Sequence, residues 1–228
     1  MKHRLSALLD GMEMTRSEHD WLEQRFDNMT AKEELLFRGA VGIEHPEALQ
    51  DAIQILQSLE HYRLLYGADD DVTLGRFVME HIHSPTPAAR AYLDPETVGA
   101  AYRESGAGCY IGKHYVERLS PDRPLPDVEP LEAQPPAGSY AIRIKLASRN
   151  NMEGVWIGFP DTAEYMDPVL PDELLLGLEA LNAETLDQCI AVDVDCALPQ
   201  ITDILTQYDS AHALVRHAID FGYVWAEQ

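Results

Sequence analysis

The chain contains residue types that could bind a metal ion, but their spacing does not match a metal site. Four residues follow the spacing of a calcium-binding loop: Asp69, Asp71, Thr73 and Glu80. The sixth position of that loop requires glycine for a sharp turn, and Leu74 occupies it here. His81 and His83 lie two residues apart, with no cysteine or third ligand near them in the sequence. The pattern therefore predicts no resident metal ion.

Nucleophilic catalysis is not supported by the residue pattern either. Cys109 and His114 are close in sequence, yet Lys113 is the only nearby basic residue and the chain has no Gly-x-Ser-x-Gly elbow. Asp193 and Asp195 fall on one face of a predicted strand and could share a divalent ion, so a metal-assisted enzyme is one alternative. The rest of the chain offers no catalytic residue and no cofactor motif. We expect a protein that is not an enzyme.

The three cysteines are an odd number and lie far apart, which is not the pattern of a disulfide framework. Cys189 and Cys196 are seven residues apart on one predicted strand, so alternation would place them on opposite faces as buried thiols. No apolar run reaches the roughly 18 residues of a membrane helix, and Asp10 ends the short apolar stretch near the start. We expect a reduced, soluble protein of the cytoplasm.

Acidic residues dominate the charge of the chain. The 228 residues include 39 Asp or Glu against 17 Lys or Arg, a net charge of -22. This excess excludes binding to the phosphates of a nucleic acid or to an anionic membrane, because both need a basic face. Residues 151–215 contain 13 acidic residues and no Lys or Arg. One sign of charge over a folded stretch costs stability through self-repulsion, so we expect it to serve binding; general solubility is the alternative.

The spacing of prolines divides the chain into two parts. Six prolines occur between residues 121 and 136, and proline biases its neighbours away from helix. We predict a mostly helical domain over 1–120, an extended Pro-rich linker over 121–138 and an acidic α+β domain over 139–228. The helices of the first domain are expected over 17–28, from 31, after Pro46, over 72–81 and over 95–104, with a strand over 108–116. Asp94 is expected to cap the helix over 95–104, with Pro95 in its first turn.

The C-terminal part shows the alternation typical of a small sheet with helices packed on it. Residues 140–146 and 154–159 predict two strands joined by a turn, and residues 190–194 predict a third. Apolar residues at helical spacing predict helices over 171–181, 201–208 and 211–218. The order of these elements is ββαβα, and the fold class is α+β.

The predicted helix over 171–181 separates acidic from apolar side chains. At 100° per residue, Asp172 and Glu179 point in nearly one direction, whereas Leu174, Leu178 and Leu181 point the other way. Further acids lie in the loops on either side, and together they predict an exposed acidic ridge. Its eight members are Asp161, Glu164, Asp167, Asp172, Glu173, Glu179, Glu184 and Asp187. A solvated helix face without a partner is the other interpretation.

Several stretches of the sequence resemble the ArdA-related antirestriction proteins of bacterial mobile elements. One is MEGVWIGFP at 152–160, and a second is LDQCIAVDVDCALP at 186–199. A third runs from 48 to 80 and is followed by VGAAY at 98–102 and YIGKHY at 110–115. Together these stretches cover about half of the chain.

The resemblance implies a non-enzymatic α+β protein that mimics DNA. Members of that family are small acidic proteins that occupy the DNA groove of type I restriction-modification enzymes, typically as elongated dimers. By this resemblance we expect a cytoplasmic homodimer without a cofactor, whose acidic ridge takes the place of phosphates on such a basic DNA-binding enzyme. The alternative is an acidic regulatory module of a mobile element that binds a basic partner not directed to DNA.

Overall fold

The chain folds into two units, each built around a three-stranded antiparallel sheet. The computed structural model describes residues 7–9, 11–106, 108–131, 140–160, 171–198 and 210–226, with side chains as far as Gly222. The first unit comprises Met1–Glu23 and Glu33–Ala133, and the second comprises Gln24–Lys32 and Gln134–Gln228. Within the described ranges, no helix combines the length and the apolar character that a membrane crossing requires.

The first part of the chain is rich in helices, and capping side chains begin two of them. Six of them lie in the described part of residues 7–131: α1 at Arg16–Asn28, α2 at Ala31–Glu44, α3 at Leu49–Leu56, α4 at Asp71–Phe77, α5 at Pro87–Arg90 and α6 at Pro95–Ser105. A π-helical turn at Val78–Ile82 continues α4. Asp70 and Asp94 accept backbone amides of the first turn of α4 and α6, at 2.7 and 3.1 Å, which caps each helix.

The sheet of the first unit has the strand order β1-β3-β2, with β1 at Tyr62–Leu65, β2 at Gly108–Ile111 and β3 at His114–Arg118. On one face, Gly39 lets α2 approach so closely that an added Cβ atom would lie 2.4 Å from the Cβ of Val116. The opposite face belongs to a buried cluster that includes Leu65, Leu74 and Tyr115. The sheet is therefore covered by helices on both sides.

Two helices of the first unit cross with their backbones in contact. A Cβ atom on Gly75 of α4 would lie 1.8 Å from the Pro95 carbonyl oxygen, and one on Gly99 of α6 would lie 1.9 Å from the Asp71 carbonyl oxygen. No real Cβ atom fits at these distances, so only glycine permits this approach. The two glycines set the separation of α4 and α6.

A charged network joins the same two helices to the sheet. The Asp71 carboxylate accepts hydrogen bonds from Arg103 Nε at 2.9 Å, from Arg103 Nη2 at 3.0 Å and from the Tyr110 hydroxyl at 2.7 Å. The Arg103 hydrogen bonds, followed by the Tyr110 hydrogen bond, lower the pKa of Asp71 to about 2. On β3, buried Glu117 accepts from Arg63 Nε and from the Tyr102 hydroxyl, both at 2.8 Å.

The described part of the proline-rich segment forms no helix or strand from 124 to 131 and lies against α3. The Gln57 side chain donates to the Glu129 carbonyl oxygen at 3.1 Å and accepts from the Glu129 amide at 2.9 Å. Gln54 donates to the Pro126 carbonyl oxygen at 2.7 Å. These hydrogen bonds are made only with the backbone of the segment, so they do not depend on its side chains.

The second unit has the strand order β5-β4-β6, with β4 at Ile142–Ser148, β5 at Val155–Phe159 and β6 at Cys189–Cys196. Helix α7, at Asp172–Ala180, packs on β5, where an added Cβ on Gly177 would lie 2.4 Å from Ile157 Cδ1. Helix α8, at Ala211–Ala226, contacts all three strands. Residues 24–32 belong to this unit through a parallel bridge between Thr30 and Trp156.

The mixed α+β fold class is confirmed, and it contains two three-stranded antiparallel sheets. The sequence does not predict β1, because Tyr62–Leu65 has only four residues and follows a 3-10 turn without an alternating stretch. The cap at Asp94 is confirmed by its hydrogen bond to the Thr97 amide. The helix predicted over 201–208 lies outside the described residues.

A register shift in β6 changes which faces its two cysteines occupy. Cys189 pairs with Ser148 and Cys196 pairs with Ile142, and these partners are six residues apart on β4, so they face the same side. The shift beside Lys145 inserts one extra residue into β6 and reverses its alternation. The predicted burial of both thiols is confirmed, whereas their predicted placement on opposite faces is wrong.

Replacing Gly75 with alanine should destabilise the first unit by about 1–3 kcal/mol, because the added methyl group has no space at the helix crossing. Thermal unfolding followed by circular dichroism measures the effect. Gly42→Ala in α2 is the matched control, since an added Cβ there meets its nearest neighbour, Cys109 Sγ, at 3.4 Å. It should be neutral or slightly stabilising. A Gly75→Ala melting temperature equal to that of the wild type would contradict the backbone contact.

We expect the stability of the first unit to depend on the charge of Asp71. Its pKa is about 2 in the fold and about 3.9 in an unfolded chain. Its ionised form therefore stabilises the fold above about pH 4, and this contribution is lost as the pH falls towards 2. Between about pH 5 and pH 2, the melting temperature of the wild type should fall more than that of Asp71→Asn.

The control for this titration is Asp122→Asn, which changes an exposed carboxylate of the same unit and should follow the wild type. Parallel curves for the wild type and Asp71→Asn would show that the carboxylate makes no net contribution.

Candidate functional site

Three of the eight residues predicted for the acidic ridge lie outside the described residues: Asp161, Glu164 and Asp167. The structure places the other five on α7 and on its connection to β6. Asp172 and Glu173 begin α7, Glu179 lies near its end, Glu184 lies in the connection, and Asp187 lies in a 3-10 turn at Leu186–Gln188.

Helix α7 exposes acidic side chains on one side and buries leucines on the other. Glu179 is exposed and Asp172 is half-buried, whereas Leu174 and Leu181 are buried. Leu178, which the sequence also places on the apolar side, is half-buried like Asp172. Since an α-helix rises about 1.5 Å per residue, the two acidic positions are separated by roughly 10 Å along the axis.

The exposed acids continue beyond the end of α7. Glu184 and Asp187 are exposed, and the path between them is defined by a hydrogen bond of 2.8 Å from the Glu184 amide to Gln188 Oε1. Four of the predicted residues are therefore at least partly accessible. We call them the acidic set: Asp172, Glu179, Glu184 and Asp187.

Glu173 does not belong to this surface, which corrects the prediction. Its side chain is 0% exposed, and its carboxylate accepts hydrogen bonds from Thr30 Oγ1 at 3.0 Å and from the Tyr140 hydroxyl at 2.6 Å. Adjacent helical positions are rotated by 100°, which moves Glu173 from the side of Asp172 towards the packed side. Its place in the first turn of α7 also lets the helix dipole favour a negative charge.

The two hydroxyl donors are themselves held by the sheet. Tyr140 lies so close to Gly158 that an added Cβ there would be 2.2 Å from the tyrosine ring. Thr30 is bridged to Trp156 of β5. The hydrogen bonds to Glu173 therefore join α7, β5 and the segment 24–32 within the second unit.

Two basic side chains of the second unit, Arg143 and Lys145, lie on β4 and contact Trp156. Arg143 Cζ and Lys145 Nζ lie 4.9 and 5.8 Å from the ring centroid of Trp156, at distances that allow cation–π attraction. Arg143 also forms an ion pair with Asp195. This pair offsets the charge of Asp195, so Asp195 adds little to the acidic surface.

The carboxylates that could have shared a divalent ion are both engaged with the protein. Asp195 bonds to Arg143, and Asp193 Oδ1 accepts the amide of Val194 at 2.9 Å. Among the described residues, one group of three exposed side chains lies close enough together to share an ion: His19, Asp20 and Glu23. This group was not predicted from the sequence, although its i, i+1, i+4 spacing on α1 is a signal that could have indicated it.

The thiols and the histidine pair make the contacts of packed side chains. Burial raises the pKa of the Cys109 and Cys189 thiols, which lowers the fraction of reactive thiolate at neutral pH. The Cys109 thiol also donates to the Gly39 carbonyl oxygen at 3.4 Å. The His81 ring lies against the Phe77 ring, with centroids 4.7 Å apart.

Two cavities of about 390 and 380 Å³ lie in the first unit. Leu125 of the proline-rich segment lines both of them, the first together with α3 residues and the second together with Arg118 at the end of β3. Neither cavity is lined by a residue predicted for the acidic ridge.

No protein-family model matches the chain, and no curated protein or solved structure matches it.

Replacing Glu173 with alanine should destabilise the second unit by about 1–3 kcal/mol, because the buried Thr30 and Tyr140 hydroxyls would lose their acceptor. Glu173→Gln keeps one acceptor oxygen and should cost less. Urea unfolding measures both variants. Glu179→Ala, at an exposed position of the same helix, is the control and should change stability by less than about 0.5 kcal/mol. Equal effects of Glu173→Ala and Glu179→Ala would be incompatible with a structural role for Glu173.

Proposed function

We propose that the protein inhibits a DNA-binding enzyme by presenting carboxylates in place of the phosphates of DNA. The observation that carries this proposal is the acidic set, which lies along α7 and its connection to β6. It belongs to a stretch, residues 151–215, that contains no Lys or Arg. The stretch therefore supplies no basic side chain to neutralise its own carboxylates.

Carboxylates can replace phosphates because both offer anionic oxygens to Lys and Arg side chains. Each strand of duplex DNA carries one phosphate charge per 3.4 Å of helix axis. The roughly 10 Å between the Asp172 and Glu179 positions corresponds to about three such steps. A basic cleft that binds a DNA backbone would therefore meet charges at a compatible spacing on α7.

The proposal also requires that the charges be held in place. We infer a ββαβα arrangement for residues 139–228, with α7 fixed at its first turn by the buried Glu173. A preorganised array loses little conformational entropy on binding, which favours affinity. The protein would act by occupying the cleft, so it would need no catalytic residue.

The resemblance to ArdA-related proteins supports a type I restriction-modification enzyme as the target. Such an enzyme binds DNA inside the cell, so the proposal places the protein in the cytoplasm as an antirestriction factor of a mobile element. The field of the acidic surface would speed association and make binding weaker at high salt.

Neutralising the three exposed members of the acidic set should weaken inhibition of a purified type I restriction enzyme acting on unmodified DNA. Each exposed ion pair contributes about 0.2–1 kcal/mol, so the variant Glu179→Gln, Glu184→Gln, Asp187→Asn should inhibit roughly three- to a hundredfold less well. The inhibition constant, measured by DNA cleavage at low and high salt, reports the effect. It should also rise with salt for the wild type.

The matched control is a variant of the first unit with the same loss of charge, Glu96→Gln, Glu104→Gln, Asp122→Asn, at exposed positions. It should inhibit as well as the wild type. Equal losses in both variants would show that only the net charge matters. Absence of inhibition by the wild type, across several type I enzymes, would reject the proposal and favour a basic partner not directed to DNA.

A further inference from the structure

The edge strand β6 exposes apolar side chains. It lies at the edge of the order β5-β4-β6, and in the described part of the chain no strand pairs with its outer side. Ile190 is 59% exposed and Val192 is 56% exposed, and Ala191 between them is exposed as well. An apolar edge of this kind is a template for pairing with another strand.

Acidic side chains lie at both ends of this apolar stretch. Asp187 precedes the strand and Asp193 follows Val192, and both are exposed. Asp195 is paired with Arg143, so the flanking charge comes mainly from the other two. The order along the edge is therefore acidic, apolar, acidic.

The two halves of β6 differ in whether their backbone groups are available to pair with another strand. Asp193 Oδ1 accepts the Val194 amide at 2.9 Å, which engages a backbone donor in the second half of the strand. Among the hydrogen bonds of the described residues, none joins a side chain to the backbone of residues 190–192. The accessible backbone and the exposed apolar side chains thus coincide.

We propose that this edge binds an extended segment of a basic protein, which adds a strand to the sheet beside β6. The backbone of residues 189–192 would form the ladder, and apolar side chains of the segment would cover Ile190 and Val192. Lys or Arg at its two ends would lie near Asp187 and Asp193. This inference goes beyond the proposed function, because the contact replaces no DNA and the partner need not act on DNA.

Charge favours a basic segment over a second copy of this chain. In an antiparallel pairing of two copies centred near Ile190, Asp187 of each copy would lie near Asp193 of the other. Like charges at opposed positions destabilise a strand pair, and the net charge of -22 adds repulsion between copies. For a segment with basic ends, both the contact at the opposed positions and the interaction with the net charge of the chain are attractive.

The test uses the full chain and the peptide Lys-Val-Thr-Val-Thr-Thr-Lys, with acetylated and amidated ends. In an antiparallel pairing its valines lie beside Ile190 and Val192 and its lysines lie near Asp187 and Asp193, with Val192 as the extra residue of the β-bulge. We expect bound peptide to slow amide hydrogen exchange at residues 189–192, with affinity falling as salt rises. The same peptide with glutamate in place of lysine is the charge control and should not bind.

Two variants separate strand addition from simple charge attraction. Val192→Asp adds negative charge and removes an apolar contact, so strand addition predicts about tenfold weaker binding of the lysine peptide, whereas charge attraction alone predicts tighter binding. Met152→Asp adds the same charge at another exposed apolar residue of the second unit, 71% exposed, and should bind like the wild type.

The proposal is overturned if the peptide binds without slowing exchange at 189–192, if the glutamate peptide binds equally well, or if Val192→Asp binds as tightly as Met152→Asp. Sedimentation of the chain alone as a dimer, with residues 189–192 already protected, would assign the edge to a second copy and overturn it as well. None of these results depends on inhibition of a restriction enzyme, so the two proposals fail separately.

Discussion

Carboxylates that point into this protein need hydrogen-bond donors, and a chain with 39 acidic and 17 basic residues has few Lys or Arg to supply them. Tyrosine hydroxyls provide several of the donors. In the described part of the chain such pairs occur at 2.6–2.8 Å between Tyr62 and Glu44, Tyr102 and Glu117, Tyr110 and Asp71, and Tyr140 and Glu173. Burial, and next the acceptor carboxylate, raises the pKa of Tyr62, Tyr102 and Tyr110, which keeps their hydroxyls protonated as donors.

This division between inward and outward carboxylates determines what the second unit can present. Inside the unit, Glu173 Oε1 accepts hydrogen bonds from the Thr30 and Tyr140 hydroxyls, which fixes the first turn of α7 against β5 and the segment 24–32. The acidic set then lies on the other side of a helix whose position is determined. A charged array on a fixed helix can match a partner of fixed geometry, whereas the same charges on a mobile segment would lose entropy on binding.

The excess of acidic charge also affects pairing at the edge strand β6. Ile190 and Val192 would favour pairing between copies of the chain, but Asp187 and Asp193 at the ends of the apolar stretch oppose it. In the proposed interaction, these acidic residues disfavour pairing of two copies and favour a basic segment. Both proposed binding surfaces therefore use the net charge that destabilises the compact state.

Local patterns in the sequence determined much of the secondary structure. Alternation and helical spacing located β4, β5, β6 and α7 to within one or two residues, and Asp94 was identified as a cap, because these signals act between near neighbours. Only the tertiary structure decided that Glu173 is buried, that β6 shifts register beside Lys145, and that Gln57 holds the proline-rich segment. Each of these depends on partners far away in the chain, such as Thr30 for Glu173, and no local pattern records such a contact.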